Sequence, residues 1–467
     1  MSFLQKSGTL FSLLIKALRG EPANITFGSI DRAIVLLAVP MIFEMLMESL
    51  FAVVDIFFVS KIGVNAVAVV GLTESILTIV YSLGWGLAMG ATAMVARRVG
   101  EKDFNAASVA GVQAIYIALA VSLLISLAGI FFSEEILRLM GASEDVIKEG
   151  KGFTKIMLTG NFVIMLLFLI NGIFRGAGDA ALAMRSLWIA NAFNIILDPL
   201  FIFGIGPFPE MGVEGAAVAT TIGRSIGVLC QVYHLFNGKG LIKIHADNWR
   251  LRWNIIKSLV DVSAGGTGQF IIASASWIFM MRIMSQFGSV ALAGYTIAIR
   301  VIIFTILPAW GMANAAATMV GQNLGAQQPE RAEKAVWRTG FFNMIFMGTV
   351  MIVFLLFAKS IVSFFTNEKE VIDNATQCLT VVSLGYIFYS YGMIIAQSFN
   401  GAGDTRTPTI LNFFGFWVLQ IPLAYLLANT FLLGPSGVFW AIVISESALT
   451  IAAMIIFKKG KWKEVKI

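Results

Sequence analysis

The sequence predicts an all-α polytopic membrane protein: twelve transmembrane helices in two six-helix lobes related by a pseudo-twofold axis. Three observations predict it. Of the 467 residues 58% are hydrophobic and only 13% charged, whereas a soluble domain carries roughly 45–50% and 25%. Apolar runs, each about 20 residues or longer, recur along the whole chain, and a helix of about 20 residues crosses a hydrocarbon core of roughly 30 Å. Finally, the chain repeats itself at an offset of 225 residues. The period-two alternation of a membrane barrel is absent.

Residues 1–27 precede the first run. Their short apolar stretch is interrupted by Lys16 and has no small-residue cleavage site, so it does not read as a signal peptide. Leu10, Leu13, Leu14, Ala17 and Leu18 share one helical face, the pattern of a helix lying in the membrane interface. Residues 28–236 hold six runs, at 33–59, 66–89, 108–131, 154–174, 183–205 and 214–236, and form the first lobe. The polar, basic stretch 237–255 links them to the second lobe, residues 256–458. Its runs lie at 256–284, 289–314, 336–358, 376–399, 407–428 and 436–457, and a basic tail, 459–467, follows.

Basic residues orient the spans. With the amino terminus inside, inner segments hold 23 Lys and Arg and outer segments 8; Arg224 and Arg300 lie within spans. Both termini are therefore expected in the cytoplasm, with the chain in the cell membrane. The net charge of +6 reflects this bias and calls for no nucleic acid. Cys230 and Cys378 fall near opposite membrane faces, too far apart for a disulfide.

The repeat is collinear across separate loops. Gly63 matches Gly288, Gly100 matches Gly325, and Phe174, Gly176, Ala177, Gly178 and Asp179 match Phe399, Gly401, Ala402, Gly403 and Asp404. Gly212 and Gly215 match Gly434 and Gly437 at an offset of 222. An even number of spans per copy gives both copies one orientation, the parallel-repeat plan of some secondary transporters. In F-x-G-A-G-D the glycines permit a tight turn, and the aspartate can cap the next helix. A gate latch is the alternative reading.

Charges in the bilayer are costly and default to functional candidates. They are unevenly placed: Glu44, Glu48 and Asp55 in span one, Glu74 in span two, Asp198 in span five, and Glu446 in span twelve. The three acids of span one fall within about 40° of one helical face. Asp55 and Asp198 lie at comparable depth, about 8–10 Å below the outer end, and Asn194 is one turn from Asp198 on the same face. Such carboxylates suit a monovalent cation or a proton equally. Glu44 and Glu48 are further candidate proton or substrate sites. Glu74 and Arg224, at similar depth, are expected to form a structural ion pair. Pro40 in span one either bends the helix in function or marks a static kink. The only histidines, His234 and His245, have no ligand cluster around them, and no phosphate-binding G-x-x-x-x-G-K-[ST] loop occurs. The chain does not read as an enzyme.

VPMIFEMLMESLFAVVDIFFVSKIG, MVARRVGEKD, FRGAGD, NIILDPLFIFG and GVEGAAVAT in the first half, with MVGQNLGAQQPERA and FNGAGDTRTPT in the second, together resemble the multidrug and toxic compound extrusion (MATE) family over essentially the whole length. The resemblance implies a MATE-like exporter of cationic amphipathic compounds, driven by inward Na+ or H+ and needing no cofactor, acting as a monomer. It is closer to the DinF-like branch, whose coupling ion is carried in the amino-terminal lobe. By motif position, that site falls on Asp55, Asp198, Asn194, Asn171 and Thr220. The NorM-like branch uses acids in spans seven and ten. Here both spans lack one, since Asp261 lies too near the cytoplasmic end, so no such second-lobe site is expected. Abundant Phe and Met, 38 and 21 residues, suit an adaptable drug cavity. A flippase for lipid-linked precursors and a passive channel are the competing functions. A strongly basic central cavity would favour the flippase, and ion current without substrate exchange the channel.

Overall fold

Helix is the form in which a chain this apolar can satisfy its backbone inside a membrane, and the computed structural model is helical throughout. It describes residues 3–21, 25–237 and 240–467. In chain order the helices are α1 (Phe3–Arg19), α2 (Ile30–Ser60), α3 (Val64–Gly100), α4 (Phe104–Leu139), α5 (Glu144–Thr159), α6 (Asn161–Ala177), α7 (Ala180–Phe203) and α8 (Val213–Asn237). After the single turn Ala246–Trp249 come α9 (Trp253–Ser285), α10 (Ser289–Gly325), α11 (Pro329–Ser363), α12 (Lys369–Ser383), α13 (Tyr386–Ala402), α14 (Arg406–Thr430) and α15 (Pro435–Lys458). Side-chain caps start several of them: Ser29 accepts from the Arg32 amide and Asp103 from that of Ala106.

Among the described residues nine helices are long and apolar enough to span a bilayer, and two bent pairs raise the number to eleven. The expected twelfth, α9, is long enough at 33 residues but does not reach the same apolarity. Its Ser, Gly and Thr residues meet α3 at close range, around Gly86 and Gly90, which explains its lower hydropathy. Spans four and ten differ from the single runs expected at 154–174 and 376–399. Each is a broken pair, α5–α6 bent by 40° and α12–α13 by 59°. The breaks fall at Gly160 and Gly385, again 225 residues apart. The extra length is amphipathic: α5 carries Glu144, Asp145 and Lys148 on one side and buries Val146, Ile147 and Phe153 on the other.

The repeated F-x-G-A-G-D turn works the same way in both lobes. Gly178 and Gly403 close α6 and α13 in the left-handed conformation, with φ of 88° and 90°. A side chain there is strained by roughly 1–2 kcal/mol. Asp179 Oδ1 then accepts from the Leu182 amide at 3.3 Å and Asp404 Oδ1 from the Thr407 amide at 3.1 Å, so both aspartates cap the next helix.

The two large hydrophobic cores follow the two lobes, with a small third cluster around Leu167 and Leu187 in the first, and the first third of α2, from Ala33 to Met41, joins the core of the second. The close contacts between lobes gather at the end that carries the linker and the basic residues. There α3 meets α10 backbone to backbone: a Cβ on Gly100 would overlap the Gln322 carbonyl, and one on Gly325 the Arg97 carbonyl. Both chain ends reinforce this seam. Arg331 donates to the carbonyls of Ile25 and Gly28, while Arg97 and Arg98 donate to those of Val465 and Ile467. Lys463 binds Glu330 and Glu333 at 3.0 and 2.6 Å. The hydrogen bond to Glu333 holds its amine above the usual 10.5, so the amine is charged at neutral pH and its contribution is lost as pH rises through that raised value. The helix α1 packs on α2, with Ala17 buried and Leu13, Leu14 and Leu18 partly buried, and Arg185 of α7 donates to the Leu18 carbonyl at 2.8 Å. The side chain of Leu10 lies outside those described.

Candidate functional site

In the first lobe α2 and α7 run side by side in the same direction. Trp188 Nε1 donates to the Phe43 carbonyl at 3.0 Å, and Asn191 Nδ2 to Glu48 Oε2 at 3.2 Å. That register sets Asp55 against Asp198. The acidic face of α2 therefore meets polar residues spaced three, four or seven apart on α6, α7 and α8: Asn171 and Arg175; Asn191, Asn194 and Asp198; Thr220, Arg224 and Gln231. A column of three polar layers results.

The layer nearest the far end holds Asp198, Asn194 and Thr220, all buried. Asn194 bridges the other two. In the amide orientation that satisfies both neighbours, its nitrogen donates to Asp198 Oδ2 at 3.0 Å, and its oxygen accepts from Thr220 Oγ1 and the Thr220 amide, each at 3.0 Å. Asp55, half-buried on α2, is close enough for its charge to act on Asp198. In the middle layer Arg224 Nη2 donates to Glu48 Oε1 at 3.2 Å, and the guanidinium lies over the Phe51 and Phe168 rings. In the third layer Arg175 Nη1 and Asn171 Nδ2 donate to Glu44 Oε1 at 2.7 and 3.0 Å, and Gln231 Nε2 donates to Asn171 Oδ1 at 2.7 Å.

Two expectations are corrected. The pair Glu74–Arg224 does not form: Arg224 takes Glu48, and Glu74 lies on an exposed face of α3. Depth along a helix follows from residue count, but azimuth depends on how α3 is rotated in the bundle. Asn171 does not join Asp55 and Asp198 either. It belongs to the Glu44 layer, because Glu44 and Asp55 are eleven residues apart on α2, about 16 Å along the axis. Sequence reasoning missed Arg175, placed among the loop cations, as well as Asn191 and Gln231. Helical spacing to Asn171, Asn194 and Arg224 was the signal that could have found them.

Between the lobes, on the far side of the seam, lies a cavity. Trp85, Phe168, Phe270, Trp310, Met45 and Met89 make most of its wall, with Thr92, Asn314, Gln397 and Arg175 supplying polar points. Trp85 packs on Phe270 and Trp310 at ring separations of 5.1 and 6.2 Å, joining the lobes at the cavity wall. Arg175, the sole charged group of the lining, is neutralised by Glu44. The repeat copies this layer with its charges removed: Gln269 and Asn400 stand 225 residues after Glu44 and Arg175, and Gln269 Nε2 donates to Asn400 Oδ1 at 2.9 Å. In the second lobe Asp261 is held at the basic end by Arg406, at 2.7 Å. Among the described residues no three His, Cys, Asp or Glu side chains gather into a metal site. The oxygens of Asp198, Asn194, Thr220 and Asp55 are the set that suits a monovalent cation or a proton.

The family model MatE matches this chain twice, over residues 40–200 and 267–426, once in each lobe. A probable multidrug resistance protein NorM of Thermotoga maritima is 25% identical over 442 residues, covering 93% of this chain and 94% of that protein. A probable multidrug resistance protein YoeA of Bacillus subtilis is 24% identical over 443 residues, covering 94% and 96%. Among solved structures, the outward-facing conformation of a multidrug resistance MATE family transporter of the MOP superfamily superposes with a TM-score of 0.89 at 26% identity, over 95% of this chain and 99% of that one. Two copies of one family unit, folded into two lobes around a shared cavity, make this chain a member of the MATE family of membrane transporters and not an enzyme.

Proposed function

We propose that the chain is a secondary active antiporter of the cell membrane that exports cationic amphipathic compounds in exchange for inward Na+ or H+, without a cofactor and as a monomer. The observation that carries this reading is the first-lobe layer of Asp55, Asp198, Asn194 and Thr220. Two carboxylates so placed repel each other unless an ion or proton joins them. The substrate takes the interlobe cavity, whose aromatic and methionine wall tolerates varied apolar bodies. Occupancy of the carboxylates biases the rocking of the lobes, and the seam at the basic end, taken as cytoplasmic with both termini, is the gate that must part for loading. The structure then corresponds to the outward-facing state. A flippase for pyrophosphate-bearing lipids would want a strongly basic cavity, whereas here the single arginine is already paired.

Purified protein in proteoliposomes, loaded with a fluorescent organic cation, tests the reading. Efflux should accelerate under an imposed Na+ or H+ gradient, and the two imposed separately identify the ion. No response to either, or ion current without substrate exchange, would overturn it.

A further inference from the structure

The repeat also relates Arg224 to Glu446: both stand eleven residues into the last helix of their lobe, at the 222-residue offset that matches Gly212 with Gly434. The counterpart of Glu48 at the 225-residue offset is Ala273. The second lobe therefore puts an acid at the position of the cation and a methyl at the position of its partner. Among the described residues Glu446 makes no salt bridge and no side-chain hydrogen bond. It faces instead a cavity inside the second lobe, walled by Trp277, Tyr386, Tyr389, Ile299 and Ile302. A hard inorganic cation needs a shell of oxygens, and this wall offers few beyond the carboxylate; the Tyr386 hydroxyl is already against Thr305 Oγ1 at 3.4 Å. An alkylammonium needs the opposite: apolar contact, aromatic faces and a single counter-ion.

We propose that this cavity is an organic-cation subsite within the second lobe, separate from the interlobe cavity, with Glu446 as counter-ion and Trp277, Tyr386 and Tyr389 as an aromatic cage for a tertiary or quaternary ammonium. Its part in transport rests on the exporter reading, but its occupancy can be measured without a gradient. The test uses the full chain in detergent and tetraethylammonium as the probe. A hydrophobic carbodiimide modifies Glu446, followed by peptide mass spectrometry. Tetraethylammonium should slow that modification saturably, and sodium chloride at equal ionic strength should not. Equilibrium dialysis should show tetraethylammonium affinity at this site reduced at least about tenfold in Glu446→Gln and lowered in Tyr389→Leu. Asp55→Asn should keep the protection, so a failed antiporter and a failed subsite give different results. Equal modification with and without tetraethylammonium, equal protection by sodium, or wild-type affinity in a folded Glu446→Gln protein would each overturn the subsite. Should Glu446→Gln not fold, the wild-type protection measurement decides.

Discussion

Asp55 and Asp198 sit on different helices and are tied together only by tertiary packing, with Asn194 and Thr220 completing the layer. If they share one ion or proton, neutralising either removes the same site. Asp55→Asn and Asp198→Asn should each abolish gradient-driven export in liposomes, and the double variant should be little worse than the worse single. Full export by a folded single variant would count against a shared site. The middle layer answers to a different physics. Arg224 is only 2% exposed and Glu48 is its salt-bridge partner, so Glu48→Ala strands a buried charge. A loss of about 3–5 kcal/mol is expected, read as a large fall in melting temperature in detergent. Replacing both members, Glu48→Leu with Arg224→Met, should recover most of that loss, because the stranded charge is gone.

At the level of elements, the lobes are built from helices whose ends and breaks are set by glycine at repeated positions. The left-handed turns at Gly178 and Gly403 join consecutive spans at the basic end. Gly178→Ala should cost roughly 1–2 kcal/mol, again read by thermal unfolding in detergent. Gly403→Ala should cost more, since a Cβ there would lie 2.5 Å from the Ile467 side chain, closer than the 3.1 Å to Ile25 at Gly178. Equal, negligible effects at both would mean that the turns relax elsewhere. Farther along, α14 contains π-helical turns at Phe413–Gln420 and Leu426–Thr430, flanking Pro422. Proline supplies no amide proton to an ordinary helical ladder, and Trp417 Nε1 donates to the Ile272 carbonyl of α9 at 3.1 Å, holding the wide turn in place.

For the whole molecule, alternating access requires the seam between α3 and α10 to open. Its tightness depends on the absence of side chains at Gly100 and Gly325. Gly325→Ala should wedge it apart, raising the rate at which a membrane-impermeant thiol reagent reaches Met89→Cys in the cavity from the basic end. An unchanged rate would show that the seam does not limit access. Orientation is tested separately. Cysteines at the exposed positions Asp247 and Lys459 should label only from the cytoplasm, and one at Asn367 only from outside. Any reversal would undo the assignment made from the 23-to-8 basic bias.

Composition, span length and the 225-residue repeat by themselves determined the helical membrane fold, its two lobes, and the F-x-G-A-G-D turns with their capping aspartates. These properties are one-dimensional: apolar length, residue type and order along the chain carry them. Depth was legible for the same reason, because residue count converts directly to height in a helix, and it put Asp55 and Asp198 at one level. Rotation about each helix axis has no such counter. Only the packed bundle turned Arg224 toward Glu48 and Glu74 away, sent Asn171 to Glu44, and drew Arg175 out of its loop to meet that same carboxylate. Partner choice in the polar column was decided by the azimuth of five helices at once, and long-range packing sets that azimuth.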